Sequence, residues 1–341
     1  MIRTLPEPPG EGSPAARRYN RDVTLDAPLR IGISACLLGD EVRYDGGHKR
    51  DAFLTGVLGP FVEWVKVCPE VEIGMGTPRE PIRLTAHDGR IRLLAVKSGT
   101  DYTNKMDSYA ARRVDALARE RLCGYVLKKD SPSCGMTRVK VHSPSGSPLP
   151  RNGVGRFAAA LLARFPDLPI EEEGRLCDPR LRENFIERIF AYRRLHDLFD
   201  ARWTVGNLVR FHTAHKLVLL AHSTTAYTEL GRLVARAKAI DRDLLRDQYS
   251  RAFMAALALT ATRARHVNVL QHMAGYFKKT LDTAARDELR TTIDDYRLGL
   301  VPLIVPITLL RHHVRQLGVQ YLADQIYLAP HPKELMLRNH V

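Results

Sequence analysis

The sequence predicts an α/β domain built on a mostly parallel, Rossmann-like sheet, followed by an all-α domain. Three observations carry this prediction: β-type runs alternate with helical ones up to about residue 165, helical spacing alone continues from Arg182, and a Pro/Gly/Glu-rich stretch separates the two. In chain order, "MIRTLPEPPGEGSPAARRYNRDVTLDAPL" (1–29) lacks an apolar segment and predicts a disordered tail, not a signal peptide. "RIGIS", "FVEWVKV", "RIRLLAV" and "GYVLKK" predict strands, and "YTNKMDSYAARRVDALARERL" and "RFAAALLARF" predict helices. "FPDLPIEEEGRLCDPRLREN" has the composition of a linker, which places a boundary near residue 178 and domains at 30–178 and 179–341. Beyond it, Phe185, Ile189, Tyr192, His196 and Phe199 recur at helical spacing, as do similar faces further on.

Composition narrows the function classes. The chain has 341 residues, 45% of them hydrophobic, enough for two domain-sized cores. Five cysteines without a close CxxC pair argue against a disulfide framework or a zinc ribbon, and predict a reducing cytoplasm. The most apolar stretch, "LGLVPLIVPITLL", is too short for a bilayer and carries Pro302 and Pro306, so no membrane span is expected. The net charge is +14. After residue 178, 25 Lys and Arg face 15 Asp and Glu, against 27 and 23 before it, so the helical half is the more basic. Such a balance favours a polyanionic partner such as RNA, although any single cation on a helix is by default a solvated one.

The cysteines sort by their place after strands. Cys36 follows "RIGIS", Cys68 ends "FVEWVKVC", and Cys134 lies in "LKKDSPSCG" after "GYVL". If those strands are neighbours in a parallel sheet, their carboxyl ends bring the three thiols to one rim, where open α/β sheets bind ligands. Thiolates in that number suit an iron–sulfur cluster, zinc or copper(I), and a 4Fe-4S cube on three thiolates keeps one iron open. Cys123 falls at the opposite edge and is expected to pack; Cys177 lies in the linker stretch, with no role assigned.

"ISACLLG" with "VRYDGG", then "VCPEVEIGMGTPREPIRL", then "LKKDSPSCG" resemble, in order, the signatures of the thiouracil desulfidase family, across roughly residues 31–178. "HKLVLLAHS", "YTELGRLVA" and "NVLQHMAGYFKK" resemble the helical domain fused to that family in tRNA 4-thiouridine desulfidases. The resemblance implies a 4Fe-4S cluster held by Cys36, Cys68 and Cys134, its open iron taking the sulfur of a C4 thiocarbonyl while water adds at the carbon, without net redox. It implies water activation or proton relay by Glu70 and a hydrogen-bonding or proton-transfer role for Ser131.

Other residues are candidates with open alternatives. Arg79 is placed to meet the base, a phosphate, Glu80 or a structural ion-pair partner; Tyr44, Asp45 and Gly46 either wall the pocket or build the loop after Cys36. Thr100 or Thr103 is expected to cap the helix through Met106. His212, His215, His266 and His272 lack a completing carboxylate or cysteine and are expected in core or surface roles. Arg232, Arg236, Lys238, Arg263, Arg265, Lys278, Lys279, Arg311 and Arg315 are candidate phosphate contacts, with Tyr276 and Phe277 as interleaved aromatics. The expected function is removal of sulfur from 4-thiouridine in tRNA. Its rivals are desulfuration of a free thiobase and a non-catalytic iron–sulfur RNA sensor; no obligate protein partner is evident.

Overall fold

A computed structural model describes residues 28–200 and 202–340. The tail expected over 1–29 lies outside the described residues up to residue 27, and its last residue, Leu29, already opens the first strand. The α/β part runs β1 (Leu29–Ser34), β2 (Val62–Val67), α1 (Pro69–Glu72), β3 (Ile82–His87), β4 (Arg90–Ala95), α2 (Thr103–Ala118), β5 (Gly124–Leu127), β6 (Val141–His142), α3 (Arg156–Arg164) and β7 (Ile170–Glu172).

Four strands make one sheet in the order β2-β1-β5-β7, with every neighbouring pair parallel. The chain leaves β1 for β2 on one side and returns to β5 on the other, so the carboxyl end of β1 is a topological switch point, where a crevice opens. "RIRLLAV" does form a strand, but in a second small sheet: β3 and β4 make an antiparallel hairpin, with β6 parallel to β3. The wholly parallel sheet is thus the one whose strand ends carry the three cysteines. "PIEEEG", which has linker composition, is β7, and its three glutamates are buried.

Each face of the parallel sheet is covered differently. On one, Met106, Tyr109, Val114 and Leu117 of α2 and Phe157 and Leu161 of α3 pack on Val67, Tyr125 and Leu127. Gly32 lets this layer close, because a Cβ there would lie 2.1 Å from the Tyr125 ring. On the other face, Leu29, Ile31, Ile33 and Val126 meet Phe185, Ile186, Ile189 and Phe190 of α4 (Pro179–Asp200), together with Leu335 and Leu337 near the chain end. The apolar core is thus continuous across residue 178.

The rest is helical: α5 (Val205–His222), α6 (Thr224–Ala235), α7 (Arg242–Ala258), α8 (Arg263–Gly275), α9 (Thr283–Leu298), α10 (Ile304–Leu317) and α11 (Gln320–Ala323), followed by short turns. Thr204, Ser223, Asp241, Thr262 and Asp282 open five of these helices, each side chain accepting a first-turn backbone N–H. No helix among the described residues is long and apolar enough to cross a membrane.

Histidines are part of this core. His212 bonds the Tyr249 hydroxyl, His215 the Phe211 carbonyl and His266 the Tyr327 hydroxyl, all buried, whereas His272 is exposed. Burial holds His215 and His266 down to about 3, and His212 and His331 down to about 4. Their folded values lie below the unfolded one, so the folded chain binds fewer protons. Stability is complete above the ordinary histidine value and is lost as pH falls from about 6.5, down to about 4 for His212 and His331 and about 3 for His215 and His266, at up to about 1.4 kcal/mol per pH unit for each histidine. The melting temperature of the helical signal should drop steadily over that window; a flat profile would contradict the buried neutral assignment.

Candidate active site

Three adjacent strand ends deliver the three thiols. Cys36 lies in the 3-10 turn after β1, Cys68 is the residue between β2 and α1, and Cys134 sits in the loop after β5. All are free thiols lining one cavity of about 380 Å³, with Arg43, Tyr44, Lys49, Glu70, Arg79 and Ser131 among the other walls. Backbone bonds fix the Cys36 turn: its carbonyl accepts from Gly39 and Lys49. The Cys68 N–H donates to Glu72 at 3.0 Å, which anchors the start of α1.

The Cys134 loop is held by its own serines and by α3. Ser131 Oγ accepts from the backbone of Cys134 (3.1 Å) and Ser133 (3.3 Å). The first N–H groups of α3, which have no partner inside the helix, are satisfied by loop carbonyls: Arg156 donates to Pro132 and Ala158 to Ser133. Gly155 is required at this contact, since a Cβ would lie 2.5 Å from the Ser133 carbonyl oxygen and 2.9 Å from Cys134 N.

Glu70 lies at the centre of a polar chain. Its Oε2 receives Arg79 Nε at 3.0 Å and a second bond from the same guanidinium, while its Oε1 accepts the Ser133 hydroxyl at 2.7 Å. Ser133 Oγ in turn lies 2.9 Å from Ser131 Oγ and 3.8 Å from Cys134 Sγ. Arg79 also donates to the carbonyls of Gly76 and Val42, so its donors are engaged by the protein and not by a ligand. Of its open alternatives, the structural ion pair is the one formed, with Glu70 and not with Glu80, which binds Ser98 instead. Tyr44 stands at the cavity rim, 42% exposed. Asp45 does not line the cavity: it is spent on the Gly47 N–H and on Arg43, inside the turn. Thr103 lies in the first turn of α2, where its hydroxyl oxygen accepts the Leu93 N–H, and Thr100 precedes the helix, bonded to Ser98, so neither side chain caps α2.

Burial pushes the Cys36 thiol up to about 11 and raises Cys68 and, further, Cys134, and neighbouring negative charge adds to each. Thiols placed so need a cation to ionise, and metal coordination supplies it by deprotonating a ligating thiol outright. Among the described residues no three His, Cys, Asp or Glu side chains stand close enough to hold a single ion. Three thiols with no histidine among the cavity walls make a soft donor set, of the kind that suits an iron–sulfur cluster, zinc or copper(I). Cys123, pushed up to about 11 by burial, packs in the core behind β1, and Cys177 is exposed.

Residues 31–173 match the family described as 2-thiouracil desulfurase, and residues 216–332 match a protein of unknown function, DUF1722. Over 137 residues the chain is 31% identical to the uncharacterized protein YbbK of Bacillus subtilis (strain 168), covering 39% of this chain and 88% of YbbK. The chain belongs to the 2-thiouracil desulfurase family. It is also 34% identical over 161 residues to the uncharacterized protein YbgA of Escherichia coli (strain K12), covering 47% of this chain and 95% of YbgA. A solved structure, the 4Fe-4S-dependent thiouracil desulfidase TudS, is 30% identical and covers 44% of this chain and 93% of its own, with a TM-score of 0.35. This desulfurase is thus an enzyme of a family acting on carbon–sulfur bonds.

Ser133 was not singled out in the sequence, although "DSPSC" holds two serines and only position along the loop decides which reaches Glu70. In the helical half of the desulfurase, Arg232, Arg236, Lys238, Lys278, Lys279 and Arg315 are exposed. Arg263 is exposed but sits over the Tyr296 ring at 5.6 Å, Arg311 is half-buried, and Arg265, also half-buried, donates to the His222 carbonyl at 2.6 Å. Phe277 is wholly buried, so it cannot serve as an interleaved aromatic; Tyr276 is exposed and stacks on Tyr321.

Proposed function

We propose that this desulfurase removes sulfur from 4-thiouridine in tRNA, leaving uridine, through a 4Fe-4S cluster on Cys36, Cys68 and Cys134, in the cytoplasm. The observation that carries the reading is the meeting of three thiols, two buried and Cys68 half-buried, with the Glu70–Ser133–Ser131 chain in one cavity. A cluster bound there supplies a soft Lewis-acidic corner that draws density from a thiocarbonyl carbon. Glu70, oriented by Arg79, takes a proton from the water that adds at C4 through its Oε1 edge, and Ser133 and Ser131 pass it along their hydroxyls. Overall, C=S and water become C=O and hydrogen sulfide, so no electron is needed. The basic helical half supports an RNA partner held by its backbone, and the base must leave its stack to reach the cavity.

A free thiobase is the second reading, supported by the thiouracil in the description of the matched family. Full-length protein, reconstituted anaerobically with iron and sulfide, should convert 4-thiouridine in tRNA to uridine with release of sulfide, and do so at lower substrate concentration than free 4-thiouridine or thiouracil. Unchanged tRNA in the presence of an intact cluster, with the free base turned over, would reject tRNA in favour of the second reading.

A further inference from the structure

Three consecutive glutamates, Glu171, Glu172 and Glu173, are 6%, 6% and 9% exposed at the end of β7. Burying adjacent carboxylates is costly unless each is compensated by hydrogen bonds or a cation. Two of them are compensated by the Cys134 loop. Glu173 Oε2 accepts Lys129 N at 2.8 Å and its Oε1 holds the Lys128 ammonium, where the loop leaves β5. Glu172 Oε1 accepts Met136 N at 2.7 Å and Thr137 N at 3.4 Å, where the loop moves on past Cys134. Glu171 instead bonds the Glu172 N–H and Arg175, and makes no bond to the loop.

The structure assigns Glu172 and Glu173 the role of positioning residues that clamp the two ends of the Cys134 loop, so that this thiol is set for cluster binding before the cluster arrives. Carboxylates on adjacent residues at the end of β7, Glu172 in the strand and Glu173 in the turn that follows, fix both ends of a loop of about ten residues, and charge-assisted bonds to backbone N–H groups are the strong kind. The loop then has little freedom left to lose when its cysteine becomes a ligand. The inference rests on the reading that the three thiols hold a cluster, and its test separates the two.

Full-length Glu172→Ala, Glu172→Gln, Glu173→Ala and Glu171→Gln are compared with wild type. In metal-free protein, amide exchange at Met136 and Thr137 should quicken about tenfold in Glu172→Ala, and at Lys129 in Glu173→Ala, with β1 and β2 amides unchanged. Glu172→Gln keeps an acceptor oxygen and should recover most of the protection. After reconstitution, the two alanine variants should hold less iron and sulfide and lose their visible absorption to a chelator several-fold faster than wild type, while Glu171→Gln, equally buried on the same strand, matches wild type. Unaltered exchange at the three amides, or cluster loss no faster than in Glu171→Gln, overturns the inference. A wild-type chain that takes up no cluster refutes the cluster reading instead, and the exchange data still decide the clamp.

Discussion

Replacing Glu70 with glutamine should leave iron and sulfide content at the wild-type level and lower turnover by about 10²–10⁴-fold, the usual range for removing a positioned general base. Glutamine has the same shape and still offers an oxygen to Ser133 or Arg79, so the cavity wall stays in place. It cannot take a proton from water. Should cluster content fall in step with turnover, Glu70 is a wall of the site and not its base. Ser133→Ala belongs in the same experiment, with iron content measured alongside: it breaks the chain between Glu70 and Ser131 and also removes the hydroxyl 3.8 Å from Cys134 Sγ.

Arg338→Ala should be the most destabilising single change in the helical half, costing about 3–5 kcal/mol, because it removes one partner of a buried ionic cluster and leaves the others unpaired. The guanidinium, 4% exposed, bonds Glu183 at 3.0 Å and the Tyr327 carbonyl at 2.6 Å, and lies 3.9 Å from Glu187. Glu187 is held low despite its burial by the His222 hydrogen bond and by positive charge from His222 and Arg338; burial raises Glu183 against the pull of Arg338. Without Arg338 both acids move upward, Glu183 further above its unfolded value and Glu187 up from the low value that His222 still holds down, so the folded variant binds more protons than folded wild type. Its deficit relative to wild type should shrink as pH falls and widen as pH rises through those values. Denaturant unfolding followed across pH checks both claims; a midpoint equal to wild type would refute them.

Much of this was legible in the sequence because strand ends are local. The apolar runs before Cys36, Cys68 and Cys134 stop abruptly, and three parallel neighbours bring their carboxyl ends together whatever the distance along the chain. The sheet that each run joins was not legible: "RIRLLAV" has strand character, but nothing in its alternation tells a hairpin from a central strand. "PIEEEG" was misassigned for a related reason. Charge predicts solvent unless something pays for burial, and here the compensating N–H groups come from residues 129, 136 and 137. Arg79 carried no sign of its partner either, since Glu70 and Glu80 are both near in sequence and only the fold around Gly76 and Val42 selects the first.

The covering of β1 by Phe185, Ile186, Leu335 and Leu337 bears on how the protein is made. The strand before Cys36 precedes its covering leucines, Leu335 and Leu337, by about 300 residues of chain. At ordinary synthesis speeds the interval is on the order of ten seconds or more, during which that apolar edge is open to chaperones or to other nascent chains. On the proposed cluster reading, a cluster arriving in that interval would meet a half-finished scaffold, so its loading is expected to follow synthesis of the helical half.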